Sequence, residues 1–251
     1  MEGERVRGWL RWIGRFLSGN RVAVALALIL TSLLPAGWVV KSAYLDPPPP
    51  TIVFAQLPWA RGTTWTYQTG PHNYTSQGDL RDGLDFVAPG TDRTVRAVEA
   101  GVIVFAQYSP NATSCADPGC AGDANYVTER VRLASGAQYL VTYWHLASVA
   151  VYQGQPVDTN DAVGSEGHTG FSIPATFDHL FLEVTDIQHV PVHLEGGRVS
   201  FGGWVVYGSD AGKDGVLVRN GTAVYAVNDE PEHCPIASQT TGSSLCSVRN
   251  D

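Results

Sequence analysis

The stretch Gly70–Gly90, GPHNYTSQGDLRDGLDFVAPG, decides how this chain reads. His72 and Asp85 stand 13 positions apart in it, separated by a Gly-, Ser- and Asn-rich segment with the composition of a loop. The run closes in Leu84-Asp85-Phe86, a short apolar strand that would hold the carboxylate on a rigid element. An imidazole and a carboxylate brought together by a loop are donors that a catalytic zinc ion takes, with one position left open for water. The same pair also fits an ordinary surface loop, so the decision falls to other stretches. Arg81 and Asp82, just ahead of Asp85, read as solvated loop charges.

Two later stretches matter most. One is Tyr143-Trp144-His145-Leu146, at the end of a strand-like run. The other is Asp178-His179-Leu180-Phe181-Leu182-Glu183-Val184. With these in place the chain resembles the lysostaphin/LytM-type zinc peptidases, which cut peptide cross-links in bacterial cell walls. Its His-to-Asp spacing is most similar to the beta-lytic and LasA branch. The resemblance runs from Trp59 to Tyr225 and takes in APGTDRTVRAVEAGVIV and GQPVDTNDAVGSEGHTG. It implies His72 and Asp85 as zinc ligands, with His145 and His179 beside the metal-bound water. Without the resemblance, His72 and Asp85 read as a loop pair and His145 and His179 as structural histidines.

The chain departs from the family pattern at the third ligand. Matching Glu183-Val184 to the family's HLHFEV puts Phe181 where the second His of the HxH motif belongs. Strand alternation sends His179, Phe181 and Glu183 to one face and Leu180, Leu182 and Val184 to the other. Phe181 therefore points at the site, and a phenyl ring has no lone pair for zinc. Glu183 shares that face and reads as structural. Three accounts follow. The domain is a degenerate peptidase that binds wall peptide or a partner hydrolase. Or a substitute completes the zinc site, from His179 or from His168 in the SEGHTG loop. Or the module is purely structural.

Beyond residue 50 the chain reads as all-β, an antiparallel sheet or split barrel of the LytM-like type. Val95–Gln107, Tyr126–Leu133, Gln138–His145, Leu180–Thr185, Val199–Tyr207 and Val216–Val227 are rich in Val, Ile, Tyr and Thr and bounded by turn residues. Cys115 and Cys120 flank the turn Asp117-Pro118-Gly119, and Cys234 and Cys246 would close a second loop. Two disulfides fit an extracytoplasmic domain better than a Cys₄ zinc site, since neither spacing is CxxC. The sequons at Asn73, Asn111 and Asn220 matter only in a eukaryotic secretory pathway.

The N-terminus carries the address. Val22–Val40 is 19 residues without a charge, and at ~1.5 Å per residue it spans about 28 Å, a bilayer's hydrocarbon thickness. Arg5, Arg7, Arg11, Arg15 and Arg21 precede it, which sets the N-terminus in the cytoplasm and the rest outside. A cleaved signal peptide is the alternative, but its small-residue cleavage pattern is missing. Trp9, Leu10, Trp12, Ile13, Phe16 and Leu17 recur at helical spacing, as in an interfacial helix. The reading divides the chain into a basic segment 1–21, an anchor 22–45, a proline spacer 46–51, a LytM-like domain 52–228 and a peripheral disulfide-containing tail 229–251. The net charge is −8, and residues 1–45 hold six Lys/Arg and two Glu, which leaves the outer part strongly acidic. That composition excludes recognition of nucleic acid through its phosphates.

Overall fold

The computed structural model describes residues 49–75, 78–208, 215–227 and 246–251. The anchor, the amphipathic segment, most of the proline spacer, Cys234 and most of the tail lie outside the described residues. Within them the protein is β structure throughout, broken by one 3₁₀ turn at Pro118–Asp123. Residues 49–251 form one compact unit.

The main sheet has eight strands. From one edge to the other they are Pro156–Val157, Gly101–Gln107, Tyr126–Arg132, Gln138–Trp144, Leu180–Asp186, Gly78–Val87, Thr64–Thr75 and Ser247–Arg249. All neighbours in it are antiparallel. A five-stranded sheet starts with Ile52–Phe54, which pairs parallel with Val199–Phe201, and continues through Trp204–Gly208, Gly215–Arg219 and Thr222–Tyr225. Phe54 stacks on Phe201 at 4.7 Å and meets Tyr139 of the main sheet edge-on.

Alternation explains why these segments are strands. Val127, Val131, Val141, Tyr143, Leu180, Leu182 and Val184 are fully buried on one face, joined there by Glu129, while the alternate residues Thr128, Arg130, Thr142, Phe181 and Glu183 take the other. Under the His72 strand, Trp59 stacks on Trp65 at 5.1 Å and meets the Phe86 edge at 5.0 Å. Such pairs add ~0.5–1.5 kcal/mol beyond area burial. This core anchors both strands that carry His72 and Asp85.

Three expectations are corrected. The segment between His72 and Asp85 is not a loop. Thr64–Thr75 and Gly78–Val87 are two long strands paired with each other, and their register shifts absorb the polar residues. Asp82 is not solvated but fully buried. The end of the chain is not peripheral. Ser247–Arg249 is an edge strand on Thr64–Thr66, Val248 is in the core, and Asn250 is buried. The Cys115–Cys120 disulfide is present as expected, and Cys246 is also disulfide-bonded.

A buried carboxyl makes the fold pH-sensitive. Glu129 is fully buried and accepts a 2.8 Å hydrogen bond from the Tyr143 hydroxyl. Burial pushes it up to about 8, against the lowering effect of Tyr143. Because the folded state holds this proton more tightly than the unfolded chain does, the contribution is complete below the ordinary Glu range. It is lost as pH rises through about 8. Glu129→Gln, which keeps the acceptor, should therefore flatten the fall in Tm between about pH 5 and about pH 9. An unchanged slope would show that Glu129 is already charged in the folded protein.

Candidate functional site

Four of the sequence-selected residues meet on the outer face of the main sheet. His72 gets there through a bulge. Thr69 pairs with Asp85 and His72 with Gly83, and the irregularity between them contains Gly70. Gly70 has φ +121°, and a Cβ there would lie 2.8 Å from the Gly83 carbonyl oxygen, so both backbone conformation and space require glycine. The result is a 3.0 Å hydrogen bond from His72 Nε2 to Asp85 Oδ2.

Asp85 is buried, and its Oδ1 accepts no hydrogen bond among the described residues. Burial by itself raises its pKa, but His72, His179 and His145 together hold it below the usual carboxylate range. His179 lies 3.9 Å from Asp85 Oδ1 through its Nε2. Its Nδ1–H donates to the Phe177 carbonyl at 2.9 Å, which fixes the ring. His145 follows the Gln138–Trp144 strand with φ 64°, and its Nδ1–H donates to the Thr169 carbonyl at 2.8 Å. The His145 and His179 rings are 4.6 Å apart. Burial and the neighbouring His179 push His145 down to about 4, so it is neutral near pH 7.

Phe181 sits in the middle of this group. It pairs with Asp85 on one side and Trp144 on the other, and its ring stacks on His72 at 5.4 Å. Gly83 makes the room, because a Cβ there would come within 2.0 Å of the phenyl ring. His168 is not drawn in. Its Nδ1 pairs with Asp178 Oδ1 at 2.5 Å, and Asp178 is also bound by Arg93. Sequence reasoning passed over Gly83 as space for Phe181, and over the carbonyls of Thr169 and Phe177 that orient the histidines. Backbone acceptors leave no mark in the residue letters.

The donor set does not fit a three-ligand zinc site. His72 and Asp85 supply two donors and Phe181 supplies none. Among the described residues no group of three or more His, Cys, Asp or Glu is placed to hold a metal ion.

Comparisons place the chain among known proteins. The model of peptidase family M23 matches residues 79–200. An uncharacterized metalloprotease of Buchnera aphidicola subsp. Baizongia pistaciae (strain Bp) is 27% identical over 136 residues, which is 53% of this chain. The match spans 31% of that relative's length. Among solved structures, the M23 metalloprotease pseudoalterin from the deep sea matches with TM-score 0.46 and 19% identity, over 69% of this chain and 95% of that one. Lysostaphin of Staphylococcus simulans, an antimicrobial peptidase, matches with TM-score 0.33 and 24% identity, over 48% of this chain and 42% of that one.

Proposed function

We propose that this chain, whose residues 79–200 match the model of peptidase family M23, is a LytM/lysostaphin-type domain that binds peptidoglycan peptides outside the membrane without cleaving them. The observation that carries this reading is Phe181. Its phenyl ring stands where the family pattern has a zinc-binding nitrogen, packed over Gly83 and stacked on His72. Losing one of three ligands weakens metal binding severely, while the sheet face and its flanking loops stay intact. The uncharged stretch Val22–Val40 with arginines ahead of it supports a single anchor and an extracytoplasmic domain.

The test uses the full-length protein and insoluble purified cell-wall sacculi. The expected result is co-sedimentation with the wall and no release of new amino groups into the supernatant. Release of amino groups that stops with a chelator would replace this reading with an active metallopeptidase. Failure to co-sediment would remove the wall as its target.

A further inference from the structure

Beside Phe181 the outer face of the main sheet opens into a cavity of about 690 Å³. Its floor is a polar row across three strands, in which Thr128 pairs with Thr142 and Thr142 with Glu183. The two threonine hydroxyls are 3.1 Å apart. The walls are apolar, with Phe105 on one side and Ile187 on the other. Two charged groups line it. Glu183 accepts from Trp144 Nε1 at 2.7 Å and from Asn73 Nδ2 at 3.3 Å. Arg130 lies two residues beyond Thr128 on the same face.

Neither charge is matched by an ion pair among the described residues. Burial pushes Glu183 up to about 7, and the charge that acts on it is another carboxylate, Asp82. A cation placed on Glu183 would relieve both penalties. Glu183 and Arg130 are separated by two strand spacings and two residues, which puts their Cα atoms about 12 Å apart. Opposite charges at that separation, with hydroxyls between them, match a short extended peptide.

The geometry points to this groove as the seat of a wall peptide that presents a free ammonium to Glu183 and a free carboxylate to Arg130. This rests on the reading of the domain as a binder of peptidoglycan peptides, and it names the end groups that are read. Thr128 and Thr142 supply hydrogen-bond partners for the amides between the ends, and Phe105 and Ile187 flank the peptide's apolar side chains. The groove selects stem peptides with unmodified ends over fully cross-linked or amidated ones.

The experiment is calorimetric titration of the full-length protein with a stem tetrapeptide that has a free lysine amine and a free C-terminal carboxylate. Its Nε-acetylated and C-terminally amidated forms are run beside it. Acetylation should weaken binding by about tenfold, as for the partly desolvated Glu183, and amidation by about two- to fivefold, since Arg130 is exposed. In Glu183→Gln the acetylated and free forms should bind alike, and in Arg130→Gln the amide and acid forms should. Because the wild-type comparison modifies only the ligand, it stands even if a variant folds poorly. If all three peptides bind wild type equally, the end-group assignment is overturned while wall-peptide binding survives. If none binds, both fall.

Discussion

Phe181→His should turn this protein into one that holds about one zinc per chain after dialysis against a mild chelator, while the wild type retains none. The register makes the prediction specific. Residue 181 pairs directly with Asp85, and its side chain already lies against the His72 ring. The missing Cβ at Gly83 leaves space for a six-membered ring, so a smaller imidazole enters without overpacking. It would bring a third donor to a buried carboxylate whose Oδ1 is unused among the described residues. Loss of a mere supporting partner costs metal sites ~10–100-fold in affinity, so gaining a ligand should exceed about 100-fold. Elemental analysis of the two proteins decides the matter. Zinc in the wild type would mean that His179, 3.9 Å from Asp85, serves as the third ligand. No zinc in the variant would mean that His72 and Asp85 are not a preserved half-site.

Asn250→Ala should cost about 3 kcal/mol of stability, read as a lower midpoint in urea with an unchanged slope. The Asn250 side chain is buried and donates to the carbonyls of Leu57 and Trp59, while its own oxygen accepts from the Leu57 N–H. Alanine removes all three bonds and strands buried backbone groups at ~1–3 kcal/mol for the worst placed. The effect should reach the site, since Trp59 packs on Trp65 and Phe86, next to the strands that carry His72 and Asp85. A loss below about 1 kcal/mol would show that water replaces the amide and that the clamp is ornamental.

Much of the sheet was legible because its central strands obey simple alternation. Leu180, Leu182 and Val184 point to the core, as their spacing requires, and the same alternation identified Phe181 as site-facing. Turns split the longer predicted segments. Val95–Gln107 became Thr94–Arg96 and Gly101–Gln107, and Val199–Tyr207 divided at Gly202 and Gly203. The Thr64–Thr75 strand was missed because GPHNYT has loop composition, and what holds it is a bulged ladder with the next strand, Gly78–Val87, whose own polar residues hide its period. Ser247–Arg249 was missed for a similar reason, with one core residue, Val248, in a polar run. The Thr128–Thr142–Glu183 row depends on three segments meeting in register, which no local pattern encodes. For the same reason Glu183 looked merely structural.

The ends of the eight-stranded sheet have a consequence for self-association. A long sheet is a template for further strands wherever its outermost backbone is free. One outer strand here is Pro156–Val157, two residues long, and its proline has no N–H to offer a newcomer. The other is Ser247–Arg249, three residues long, where Arg249 is ion-paired with Asp251. Among the described residues both outer strands are thus too short, and one too poorly equipped with donors, to template a second copy by themselves. Self-association of this wide sheet would therefore not be templated by either outer strand.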